Sequence, residues 1–158
     1  MAVAHLLPIA FSIFCLLGGS LAFPKSDLFP FGREQYLTAD DDISSPEVPL
    51  SVPIIFYGNE YRTIYVNDNG LLSFLTEVPS FFNAQFPLTY PIIAPLYSDV
   101  DTRGAGRIYY RETQSGDLLE RAARDIRSHF SNAGSFQPRS LFIATWDEVS
   151  FYEREQPR

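Results

Sequence analysis

Residues 6–19 form the apolar run LLPIAFSIFCLLGG, and no later stretch is comparably hydrophobic. The run is shorter than the ~20 apolar residues a bilayer span requires, and Pro8 interrupts it. It ends in Ser20-Leu21-Ala22, with small residues at the positions that signal peptidase reads. Residues 1–22 are therefore expected to be a signal peptide, cut between Ala22 and Phe23. The remainder is expected to be exported, with no membrane span after cleavage.

From residue 23 to 53 the pattern is irregular. Pro24, Pro30, Pro46, Pro49 and Pro53 argue against regular helix or a central strand. Asp40-Asp41-Asp42 reads as a solvated loop. Strand-like runs begin at Ile54: IIFY at 54–57, RTIYV at 62–66 and LLSFL at 71–75. Asn67-Asp68-Asn69-Gly70 separates the last two, and Asn-Gly suits the positive φ of a tight hairpin. IIAPLY at 92–97, RIYYRE at 107–112 and SLFIATW at 140–146 read as further strands.

One segment has helical spacing. Leu119, Ala122, Ile126 and Phe130 fall on one stripe. Asp117 and Glu120 have capping-box spacing, and Asn132-Ala133-Gly134 supplies a stop. Arg121, Arg124 and Arg127 lie off the stripe, on a face expected to be solvated. The pattern predicts an α+β fold, mainly antiparallel sheet with one amphipathic helix at about 117–131. Residues 23–53 would form a Pro/Asp-rich amino-terminal segment of a domain whose main body is 54–158. Phe81, Phe82, Phe86 and Tyr90, set among Pro79, Pro87 and Pro91, allow two readings. They form either an exposed partner-binding loop or a set of rings closing a core edge.

Composition narrows the function. The formal charge of −7 argues against nucleic acid and anionic lipid as partners. The single cysteine, Cys15, lies in the apolar run, so the exported part has no disulfide and no thiol chemistry. Asn59, Asn67, Asn69, Asn83 and Asn132 all lack the hydroxyl residue of a glycosylation triplet.

The most suggestive chemistry is Asp99 and Asp101, followed by Gly104. They match positions 1, 3 and 6 of a calcium loop of the EF-hand type. Arg103 replaces the third acid, Tyr110 occupies position 12, and Glu112 comes two residues late. Two carboxylates on one strand also lack the facing arrangement of a glycosidase. His129 is the only histidine after Ala22, and no GxSxG, P-loop or GxGxxG is present. The chain is accordingly read as non-catalytic, with no metal and no cofactor. Asp99 and Asp101 are expected to cap backbone and to pair with Arg103, Arg107 or Arg111. A secreted hydrolase or calcium-dependent ligand built on Asp99 and Asp101 is the alternative, as is a short secreted ligand or decoy.

Several segments, taken in order, resemble the NIDO domain, the amino-terminal globule of nidogens, related to tectorin-like and mucin-like extracellular proteins. They are Leu28-Phe29-Pro30-Phe31-Gly32, Asp40-Asp41-Asp42, Ile64-Tyr65-Val66 with Asn69-Gly70, and Ile93-Ala94-Pro95-Leu96. Asp99-Val100-Asp101-Thr102, Gly106-Arg107-Ile108-Tyr109-Tyr110-Arg111-Glu112, Arg121-Ala122-Ala123, Ser135-Phe136-Gln137-Pro138 and Ala144-Thr145-Trp146 continue the match. The resemblance implies a secreted module of the extracellular matrix, in the basement membrane, that takes part in cell–matrix adhesion. Its expected partners are matrix or cell-surface proteins. Nidogens link laminin and collagen IV through later globules, so no residue here inherits those contacts. The family pattern runs on past the Trp146 strand, so the domain is expected to be incomplete at its carboxyl end. SLFIATW would then be left as an open, aggregation-prone sheet edge.

Overall fold

A computed structural model describes residues 24–152. The proposed signal peptide and its cleavage point at Ala22 and Phe23 lie outside the described residues. The chain divides at Pro30. In the first unit the described residues form a short 3-10 turn at Lys25–Asp27. The residues from Phe31 onward belong to the second unit.

That unit has nine strands and one helix among the described residues. Strands β1 (Gln35–Tyr36), β2 (Val48–Phe56), β3 (Asn59–Asn67), β4 (Leu71–Ser73) and β5 (Ile92–Ile93) come first. Then follow β6 (Val100–Asp101), β7 (Arg107–Thr113), helix α1 (Gly116–His129), β8 (Leu141–Asp147) and β9 (Ser150–Phe151). They form a four-stranded sheet β2-β3-β4-β5, a three-stranded sheet β1-β7-β8 and a β6-β9 pair. Every pairing is antiparallel. The fold is α+β, as the periodicity implies.

The two larger sheets face each other across an apolar core. Val66, Val48 and Leu72 come from one sheet, and Ile108, Tyr110 and Trp146 from the other. Alternation along β7 puts Ile108 and Tyr110 inward, while Arg107, Tyr109 and Arg111 take the opposite face. There Arg107 lies over the Tyr36 ring at 4.5 Å, and Arg111 pairs with Glu34 at 2.7 Å.

Several elements differ from the pattern-based expectation. β2 begins at Val48, inside the proline-rich segment, because it is a sheet edge where missing donors are tolerated. Its register slips between Pro49 and Ile54. The two-residue hairpin turn is Tyr57-Gly58, with φ of 47° and 80°, between Phe56 and Asn59. At the Asn-Gly site only Gly70 has positive φ, and three residues, Asp68–Gly70, join β3 to β4. Helix α1 starts two residues earlier than the capping box implies. Ser115 is its N-cap and makes no side-chain cap bond, so Asp117 lies within the first turn. The helix ends at His129, and Phe130 adopts extended backbone that carries its ring off the stripe, leaving it 55% exposed. Arg127 is not merely solvated: its guanidinium donates twice to the Phe136 carbonyl, at 3.0 and 2.7 Å, pinning the following turn. No described helix is long and apolar enough to cross a membrane.

Candidate functional site

The most polar part of the interior is the β3–β4 connection. Asn67, Asp68 and Asn69 are all fully buried. Buried polar groups must find partners within the protein, and here they find them on distant segments. Asn67 donates through Nδ2 to the Leu71 carbonyl at 3.2 Å and to Ser73 Oγ at 3.1 Å. Its Oδ1 accepts the Val78 N–H at 2.8 Å and the Ser44 hydroxyl at 2.6 Å. Asn69 donates to the Pro79 carbonyl at 2.6 Å and to Asp42 Oδ1 at 3.0 Å, and its Oδ1 accepts the Val100 N–H at 2.8 Å.

Asp68 completes the hub. Its Oδ2 accepts the Ile43 N–H at 2.9 Å and its Oδ1 the Asn69 N–H at 2.8 Å. Its backbone N–H donates to the Ile43 carbonyl at 3.0 Å, and its carbonyl accepts the Trp146 indole N–H at 2.9 Å. Burial pushes its carboxyl up to about 7; the Ile43 and Asn69 N–H groups oppose this, and Asp42 and Asp41 add to it. Gly70 closes the turn against Leu96, whose N–H donates to the Gly70 carbonyl at 3.1 Å.

An acidic rim adjoins this tip. The carboxylates of Asp41, Asp42 and Asp99 come within 4.8 Å of one another. Asp42 takes the positive φ of 57° that turns its side chain to Asn69 and Phe81. Arg103 bridges the rim to β6, donating to Asp41 at 2.9 Å and to Asp101 at 2.8 and 3.0 Å. Burial, against the pull of Arg103, raises the Asp41 carboxyl above its usual range, while the Arg103 hydrogen bonds hold Asp101 below it. The rim is a cluster of like charges.

Asp99 and Asp101 therefore have different surroundings. Asp101 caps the Arg103 N–H and pairs with its guanidinium. Asp99 precedes β6 and meets Asp41 and Asp42, an encounter the sequence reading missed because it joins segments far apart in the chain. Glu112 does not turn toward this region. Its carboxylate accepts the Ser51 N–H and hydroxyl at 2.8 Å each, and the Ser140 hydroxyl at 2.5 Å.

A second surface feature is aromatic. Phe56, Tyr57 and Tyr61 of the first hairpin, with Phe86, Pro87 and Tyr90, line an open groove of about 840 Å³. The 76–91 segment is partly packed and partly exposed. Phe81 and Phe86 pack on Tyr97, with ring centres at 5.1 and 5.4 Å, yet Phe82 and Phe86 stay exposed.

Residues 62–157 match the family model described as the nidogen-like domain. The chain belongs to the nidogen-like domain family. Human alpha-tectorin is 42% identical over 134 residues, which cover 83% of this chain and 6% of that protein. Mouse nidogen-2 is 41% identical over 140 residues, 84% of this chain and 10% of that protein. Drosophila melanogaster nidogen is 35% identical over 126 residues, 78% of this chain and 9% of that protein. The chain thus spans a small fraction of the length of these relatives. No solved structure matches it. The nidogen-like family match takes in β4 to β9, the buried hub of Asn67, Asp68 and Asn69, and Asp99 of the rim.

Proposed function

We propose that this nidogen-like domain is a non-catalytic module of the extracellular matrix that takes part in cell–matrix adhesion and basement-membrane organisation. The observation that carries this reading is the family match over residues 62–157. Nidogen and tectorin relatives are structural proteins of the matrix and basement membrane. The use made of the acidic groups supports it. Asp68, Asp101 and Glu112 each hold backbone N–H groups, and His129 on α1 bonds Ser128 and the Asp125 carbonyl. The partners are matrix or cell-surface proteins, and export follows cleavage between Ala22 and Phe23.

Expression of the full chain in matrix-producing cells tests both parts. The protein is expected in the medium and in the detergent-insoluble matrix, with an amino terminus at Phe23, and coated surfaces are expected to support cell attachment. A chain retained inside the cell with Met1 in place, or a coat without attachment, refutes the respective part.

A further inference from the structure

The hairpin tip holds a carboxyl group that water does not reach. Asp68 is fully buried. Its two oxygens accept backbone N–H groups from Ile43 and Asn69, at 2.9 and 2.8 Å. Among the described residues no cation is hydrogen-bonded to that side chain.

Its surroundings are neutral or of its own sign. Its own turn contributes Asn67 and Asn69. The facing loop contributes Asp42 and Asp41, the charges that act on it most directly. Those two neighbour Asp99, and Arg103 of the β6 side is engaged by Asp41 and Asp101. From β8 comes the neutral Trp146, bonded to the Asp68 carbonyl and not to its carboxylate.

We infer that Asp68 is a proton-operated latch: a proton on its carboxylate tightens the hairpin tip against the loop at residues 40–43, and loss of that proton loosens the acidic rim. The geometry carries this. Each carboxyl oxygen keeps a lone pair for its N–H partner in either state, so protonation weakens these two bonds, which favour the carboxylate, but breaks neither. What also changes is the charge. Ionised Asp68 sets a third negative charge, itself out of reach of water, beside Asp41 and Asp42. Protonated Asp68 removes that repulsion. The loop feels the difference because Ile43 is tied to Asp68 through both its N–H and its carbonyl, and Asp42 is tied to Asn69. Through Asp40, bonded to Thr102, the same loop is tied to the end of β6.

The exchange falls near neutrality, since burial lifts this carboxyl to about 7 from an ordinary 3.8. A raised carboxyl means that the folded chain binds a proton the unfolded chain has released. Stability then rises as pH falls from 7 toward 4, and is level above that window. Carboxylates held in ion pairs have the opposite sign.

The test is amide hydrogen exchange on the full chain, followed by NMR and normalised to intrinsic rates, from about pH 5.5 to 8.5. Protection of the Ile43 and Asn69 amides is expected to fall about tenfold across that range, in step with the Asp68 carboxyl carbon shift. Asp68→Asn should abolish the pH dependence. His129→Gln, which removes the described histidine, should leave it intact. A pH dependence that survives Asp68→Asn, or that disappears with His129→Gln, overturns the latch. If Asp68→Asn does not fold, the wild-type protein decides: a carboxyl carbon titrating below about pH 5, or level protection at both amides, overturns it equally.

Discussion

The carboxylate of Glu112 on β7 holds the backbone N–H of Ser51 on β2 at 2.8 Å, joining two sheets that share no strand pairing. The bond exists because the β2 register slips between Pro49 and Ile54, which frees the N–H groups of Ser51 and Val52 from β3. Glu112 accepts both, together with the hydroxyls of Ser51 and Ser140. Glu112→Ala should lower stability by about 2 kcal/mol, since several donors lose their acceptor together. Glu112→Gln, which keeps one oxygen, should cost about half as much. Urea unfolding measures both, and an unchanged midpoint in the alanine variant contradicts this role.

Asn67 makes a sharper case because its two side-chain ends have opposite duties. Its amide nitrogen must donate to the Leu71 carbonyl, and its oxygen must accept from Val78. Asn67→Asp preserves shape but turns oxygen toward oxygen. A loss of about 3 kcal/mol or more is expected, from an unpaired buried carbonyl and a buried charge. Asn83→Asp, on an exposed loop, serves as the control and should be nearly silent. Equal effects in thermal or urea melts would refute the assignment.

Two turn glycines separate backbone strain from steric contact. Gly58 has φ of 80° and open space around an added Cβ, whereas at Gly70, with φ of 77°, that Cβ would land on the Leu96 carbonyl. Gly58→Ala should cost about 1 kcal/mol, the penalty of left-handed backbone. Gly70→Ala should cost clearly more, because Leu96 must move and its bond to Gly70 is lost. A Gly70→Ala protein as stable as Gly58→Ala would show that the 94–98 segment yields freely.

Acid should act through two carboxylates. Hydrogen bonds from Arg103 hold Asp101 below its usual range. Burial pushes Glu112 upward, but the bonds from Ser140, Ser51 and Val52 prevail and hold it low as well. For a lowered carboxyl the unfolded chain takes up its proton first. The stabilisation is therefore present above the ordinary values of 3.8 and 4.5 and is lost as pH falls through the folded-state values. Arg103→Gln should move the acid unfolding midpoint to higher pH and weaken its dependence on Asp101. A midpoint that stays put, read by circular dichroism, would remove Asp101 from the account.

The regular elements were legible because each carries its own period. β7 and β8 alternate or run apolar as strands do, and Leu119, Ala122 and Ile126 mark α1. Tyr57-Gly58 escaped notice because tyrosine seldom takes the positive φ it has here. The turn at Asn67–Gly70 was legible, but its burial was not, for a physical reason. Asn-Asp-Asn-Gly has the composition of a solvated turn, and only donors supplied by Val78, Val100 and Ile43 let it enter the core. Those partners lie 11, 31 and 25 residues away, beyond any local pattern. The same distance hid the meeting of Asp99 with Asp41 and Asp42, although each acid stood out singly.

The indole of Trp146 ends in a hydrogen bond to the Asp68 carbonyl, and the chain has no other tryptophan. The protein thus carries a built-in optical gauge. Its tryptophan fluorescence comes from one ring, seated between β8 and the buried turn, so the wavelength of that emission reads the wetness of a single junction. Any treatment that draws the turn out of the core should redden the emission before the strands themselves come apart.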